Sequence, residues 1–211
     1  MTTSASFFAK TSRILFGAHE AMRAQRPDLL AGLELAKDAE ADFASVCLLE
    51  DGLQCRAGEG DGQPYPLRDV LALCTRIALP LCLFVRECAD EKALFACLAA
   101  RDELPLLLAS RDRDFLARAR ENVPDIVTGY IGGEDDSCQI GPARALDVSL
   151  LPKGVASGCR LCSMKGRGIF TCVIGNCSMP EVVRMSLDGA DAFLLDDPGE
   201  FAFLRKRKPQ G

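Results

Sequence analysis

The sequence predicts an α/β fold, a compact (β/α)8 TIM barrel, and three observations predict it. Eight short apolar runs recur along the chain, helical patterns lie between them, and 211 residues is close to the lower size limit for eight strand–helix units. An open, doubly wound sheet is the competing architecture for the same pattern. The runs are Ile14–Ala18, Phe43–Leu49, Leu81–Val85, Pro105–Ala109, Ile126–Ile131, Leu146–Leu151, Ile169–Ile174 and Ala192–Leu195. Most lack clean apolar–polar alternation, as expected of strands covered on both faces by helices.

The covering helices are read from one-face spacing. Pro27-Asp28 opens the first, with Leu29, Leu30, Leu33 and Ala36 inward. Pro66 sits in the first turn of the next, whose apolar face is Leu67, Val70, Leu71, Cys74 and Ile77. Segments 90–102, 111–121 and 180–188 read the same way, and seven helices fit before the tail. Val155–Gly168 carries several glycines and reads as a loop with at most a turn or two of helix. No composition break marks a second domain, so residues 1–204 are expected to form one barrel and residues 205–211 a basic tail.

Composition excludes several classes. Hydrophobic residues make up 48% and charged residues 26%, which is neither a disordered nor a fibrous make-up. The longest apolar run, Ala78–Val85, is interrupted by Pro80 and is far short of the roughly 20 residues of a membrane-spanning helix, so no integral membrane segment is expected. A net charge of −5 argues against nucleic acid as the main partner. Eleven cysteines, an odd number scattered through apolar segments, point to a reducing cytoplasmic setting and away from a disulfide framework. The Ser/Thr-rich start with Lys10 and Arg13 has the composition of a targeting segment, yet its run at Ile14 is needed as a strand.

Gly17-Ala-His19, Pro27-Asp28-Leu-Leu-Ala-Gly-Leu, Ala41-Asp42 and Glu50-Asp51-Gly52 occur in this order along the first third of the chain, and together they resemble the opening of the glycerophosphodiester phosphodiesterase family. Gln63-Pro-Tyr-Pro66-Leu-Arg-Asp-Val70 resembles the start of its next barrel helix, and Leu108-Ala-Ser110 its fourth strand. Phe170 to Asn176, Met179 to Arg184 and Asp188 to Pro198 resemble its last two strands and the helix between them.

The resemblance implies a barrel, and it implies a metal-dependent hydrolase with two histidines, an arginine beside the first, and three carboxylates holding a divalent cation. This chain departs from that set. It has a single histidine, His19, and Glu20 stands where the family has the arginine. The inward positions of the second strand fall among Phe43, Ser45 and Cys47, the third carboxylate aligns with Phe84, and the lysine that follows it aligns with Arg86. No histidine stands near Gly58, where the second is due, and the family's insertion in this region is missing. No Mg²⁺ or Ca²⁺ carboxylate site is therefore intact, because hard cations want several oxygens.

The leading expectation is a barrel without the family's metal-dependent hydrolysis, a pseudoenzyme that is non-catalytic or binds a small phosphorylated ligand. Strand ends would bring His19, Glu20, Arg86, Glu87, Ser110 and Arg111 to one mouth, together with Lys153, Asn176, Asp196 and Asp197. Of these, Arg86, Ser110, Arg111, Lys153 and Asn176 are the ligand-binding candidates; the bland reading is a solvated, mixed-charge rim. His19 is either the catalytic acid or base of a rewired phosphodiester hydrolase or an inherited remnant. Cys159, Cys162, Cys172 and Cys177 invite a zinc or redox reading, set against cysteine's ordinary use as a small buried hydrophobe. Arg205 to Lys208 are read as solvated charges, with an anionic membrane surface as the alternative.

Overall fold

Strands that bury both faces need a closed ring, and this chain closes one. The computed structural model describes residues 7–8, 13–19, 28–56, 63–101, 103–123, 125–133 and 147–206. The ring consists of β1 (Leu15–Ala18), β2 (Phe43–Leu48), β5 (Leu81–Val85), β6 (Leu106–Ser110), β7 (Val127–Ile131), β8 (Val148–Pro152), β9 (Phe170–Ile174) and β10 (Ala192–Leu195). All eight are parallel to their neighbours in the ring, and β1 pairs with both β10 and β2, so the ring is closed. The barrel prevails over the open sheet, and each strand falls within two residues of the run that predicts it.

Two short strands went unpredicted. Gln54–Arg56 (β3) and Tyr65–Pro66 (β4) pair antiparallel on the outer half of β2. The turn into β3 is built by Asp51, whose Oδ1 accepts the Leu53 and Gln54 N–H groups at 2.9 and 3.0 Å, and by Gly52 at φ +74°. A strand of two or three residues is too short to show any periodicity.

Six α-helices have both ends among the described residues: α1 (Leu29–Asp38), α2 (Leu67–Arg76), α3 (Glu91–Ala99), α4 (Arg113–Asn122), α5 (Gly158–Gly166) and α6 (Met179–Asp188). Asp28, Asp90, Asp112 and Ser157 cap α1, α3, α4 and α5 by accepting first-turn N–H groups, and Ser178 with Glu181 forms a capping box on α6. Helix α5 corrects the loop reading of 155–168. Its Ser157 cap and its buried Arg160, Leu161 and Met164 supply docking energy that outweighs the glycine penalty. A 3₁₀ segment, Pro198–Lys206, covers β1 after the last strand, stacking Phe201 on Phe16 at 5.6 Å.

Alternation along each strand sorts the core into an interior and a shell. Phe43, Cys82, Phe84, Leu107, Val127, Leu150, Phe170, Cys172 and Leu194 point into the barrel, and Phe8 enters it from the amino-terminal side and meets Phe43 edge-on at 5.7 Å. Outward neighbours such as Ala44, Val46, Leu83 and Leu108 pack on α1 to α4, and Leu151, Val173 and Leu195 pack in the shell cluster that includes residues of α5, α6 and the 3₁₀ segment.

An aspartate one residue before a strand recurs at the amino-terminal ends. Asp42, Asp147 and Asp191 accept the backbone N–H of Phe16, Thr128 and Thr171 on the preceding strand at 2.8, 3.1 and 2.8 Å. Each carboxylate satisfies a donor that the parallel ladder leaves open. Burial raises the Asp191 carboxyl above its usual range, against the lowering effect of the Thr171 N–H.

Gly17 makes ring closure sterically feasible. A Cβ there would lie 2.6 Å from the Phe43 ring and 2.8 Å from Leu194. We predict that Gly17→Ala lowers stability by about 1–3 kcal/mol, the cost of overpacking a core. Thermal unfolding checks it, and an unchanged midpoint would contradict the closure geometry.

Candidate functional site at the barrel mouth

The parity that fills the interior also decides which strand-end residues face the mouth. Continuing two residues past Gly17, Phe84 and Ala109 gives His19, Arg86 and Arg111, and the inward series of β2, β7 and β9 end at Cys47, Ile131 and Ile174. These residues, with Phe84 and Val85, line a cavity of about 470 Å³. Val85 and Ser110 are direct partners in the β5–β6 ladder, so Arg86 and Arg111, each one residue on, leave the barrel side by side.

Of the sequence candidates, the structure brings His19, Arg86 and Arg111 together and sends two others elsewhere. Ser110 has the outward parity, is buried, and accepts the Asp112 N–H at 3.1 Å at the start of α4. Lys153 also lies outside the cavity, donating to the Asn176 carbonyl at 2.8 Å and to Glu181 Oε2 at 2.9 Å. Asn176 stands on the rim, where its side chain donates to Asp196 Oδ2 at 2.5 Å and accepts the Asp196 N–H at 3.0 Å. Asp196 in turn lies 3.8 Å from His19 Nδ1, and His19 meets the Phe84 ring edge-on at 6.2 Å. Asp197 is used locally, accepting the Gly199 N–H. Glu20, Gly58 and residues 207–211 lie outside the described residues.

The described residues of this mouth do not fit a divalent cation. Phe43, Ser45 and Cys47 take the inward positions of β2 and Phe84 that of β5, and among the described residues Asp196 is the carboxylate placed beside His19, where Asn176 already holds it. Hard cations need six or more oxygens, several of them carboxylate.

The four cysteines of the metal or redox reading do not converge. Cys172 is inside the barrel, Cys177 is in the shell among α5 and α6, and Cys159 and Cys162 are exposed on α5. Burial pushes the Cys172 and Cys177 thiols up, so they favour the neutral form, which is a poor metal ligand and nucleophile. Among the described residues no group of three or more His, Cys, Asp and Glu side chains is placed to hold a metal.

No protein-family model and no curated protein matches the chain. Solved structures do. A phosphodiesterase from Oleispira antarctica, in complex with its product sn-glycerol-3-phosphate, superposes with a TM-score of 0.76 at 18% identity, over 95% of this chain and 98% of that one. Glycerophosphodiester phosphodiesterases from Thermotoga maritima (0.73, 17%, covering 92% and 99%) and Agrobacterium tumefaciens (0.69, 13%, covering 90% and 99%) follow. The chain thus has the (β/α)8 barrel fold of these phosphodiesterases over nearly its whole length. No described helix is long and apolar enough to cross a membrane.

Lys153 and Glu181 tie the β8 end to α6. The Lys153 ammonium, and then the Ser178 N–H and hydroxyl, hold the Glu181 carboxyl down to about 2. A carboxyl lowered on folding stabilises the fold above its ordinary value near 4.5 and loses that contribution as pH falls through about 2. We predict that Glu181→Gln flattens the acid limb of the stability profile between about pH 5 and pH 2. Chemical denaturation across that range checks it, and coincident acid limbs would refute the assignment.

Proposed function

We propose that this chain is a divergent glycerophosphodiester-phosphodiesterase-like barrel that binds a small phosphorylated ligand at its mouth and lacks the family's metal-dependent hydrolysis. One observation carries the reading: Arg86, Arg111 and His19 face a cavity whose other described lining residues, Cys47, Phe84, Val85, Ile131 and Ile174, are apolar. Guanidinium groups pair with phosphate through two parallel N–H bonds, and two of them side by side offer four such donors. The floor positions that the resemblance reserves for carboxylates hold Phe84 and the β2 residues Phe43, Ser45 and Cys47, so phosphate charge would be met by arginine in place of metal.

In this reading residues 1–204 act as one barrel in a reducing, cytoplasmic setting, and residues 205–211 are an appended basic tail. Ser110 and Lys153 support the site from outside it. Asn176 positions Asp196.

A second reading rests on the chain from His19 to Asp196 to Asn176. Asp196 lies 3.8 Å from His19 Nδ1 and is itself held by Asn176, and general acid–base catalysis by a positioned imidazole contributes about 10²- to 10⁴-fold. His19 would then serve a rewired, metal-independent phosphodiester hydrolase.

The two readings separate in one assay. We predict no turnover of glycerophosphocholine or glycerophosphoethanolamine above that of His19→Ala, with Mg²⁺, with Ca²⁺ or with chelator. Inorganic phosphate and sn-glycerol 3-phosphate should perturb the backbone resonances of residues 86 and 111, and Arg111→Ala should weaken that binding about tenfold or more, the scale of one charge-assisted hydrogen-bond pair. Metal-independent turnover lost in His19→Ala would favour the second reading, and metal-dependent turnover would overturn the first.

A further inference from the structure

We infer that the phosphate taken at the mouth carries an apolar substituent: the ligand class is a phosphate monoester of an alkyl or other hydrocarbon group. The inference rests on the phosphate-binding reading above and specifies the rest of the molecule. The cavity has two chemically different parts. Arg86 and Arg111 stand together at the ends of β5 and β6, while Phe84, Val85, Ile131, Ile174 and Cys47 are the apolar residues among its described lining, and His19, edge-on to Phe84, stands beside Asp196. Its volume of about 470 Å³ is far more than a phosphate fills and lies in the range of small-molecule sites, which are mostly apolar with a few placed polar groups.

The polar contacts assign each end of the ligand. A phosphate settles on the arginine side, because the Asp196 carboxylate repels it on the His19 side. Whatever is esterified to it then lies against Phe84, Ile131 and Ile174. Glycerol would place hydroxyls against these side chains, which offer no hydrogen-bond partner, and such groups cost free energy when buried unpaired. A hydrocarbon gains there instead, at about 25 cal/mol for each Å² removed from water. The apolar wall includes the position aligned with a family carboxylate, Phe84, so the substitution that removes the cation site builds the hydrocarbon site.

Calorimetric titration with methyl, hexyl and sn-glycerol 3-phosphate tests the inference. Hexyl phosphate should bind about ten- to a hundredfold more tightly than methyl phosphate, because part of a five-methylene difference is buried. Ile174→Ser, at a half-buried position on the apolar side of the cavity, should bring the ratio of hexyl to methyl phosphate affinity close to one, with thermal unfolding showing that the variant is folded. Equal affinity for the three phosphates would overturn the hydrocarbon inference while the phosphate reading stands. Failure of all three to bind would overturn both. Hexyl glucoside binding as tightly as hexyl phosphate would also overturn it, since the arginines would then contribute nothing. Vesicles of phosphatidylcholine doped with phosphatidic acid separate the sources. Binding to them together with hexyl phosphate supports a lipid ligand, hexyl phosphate alone supports a soluble one, and vesicles alone would overturn cavity binding.

Discussion

The contact between Gly17 and the Phe43 ring is the constraint on which the barrel depends. β1 and β2 pair at Gly17↔Phe43 and Ala18↔Ala44, and this short ladder turns a sheet into a ring. The ring of Phe43 occupies the space where a Gly17 side chain would be, and Phe8 packs on it from below. A closed barrel this small has room for side chains and no pore, so every inward residue is a choice between packing and chemistry.

Here most of the inward positions serve packing. Phe43, Phe84, Leu150, Phe170 and Leu194 fill the interior with hydrocarbon, and the charged side chains of that parity stand beyond the strand ends, where Arg86 and Arg111 emerge beside His19. A carboxylate cage within such an interior would require its own charge compensation, because desolvated carboxylates are costly unless paired with metal or hydrogen bonds. Aromatic packing of the interior and the absence of carboxylates from the described inward positions are thus one feature seen from two sides. The amino-terminal end shows the opposite use of acids: Asp42, Asp147 and Asp191 each complete the backbone bonding of a neighbouring strand.

Much of the architecture could be read from the chain alone. The runs at 81–85 and 192–195 match their strands residue for residue, and Asp28 and Pro66 mark helix starts as their chemistry requires. The hairpin 54–66 escaped because its strands are shorter than one period of any pattern. Helix α5 escaped because its stabilisation comes from docking and a serine cap, while its glycines suggested a loop. At the mouth, the cavity-lining His19, Arg86 and Arg111 are among the rim residues the sequence offers, and counting inward parity from Ala109 and Leu150 separates them from Ser110 and Lys153. The engagement of Lys153 by Glu181 was not legible, since those residues are 28 apart in sequence.

By itself the sequence determined the eight barrel strands and the well-capped helices, that the chain has a single histidine, and that the second-strand run Phe43–Leu49 holds no carboxylate. These follow from local periodicity, capping and residue identity. Only the tertiary structure decided that the ring closes, which of the rim charges share a cavity, and that the four cysteines lie in three separate environments. Those outcomes depend on register between strands distant in the chain, where a one-residue shift exchanges interior for shell.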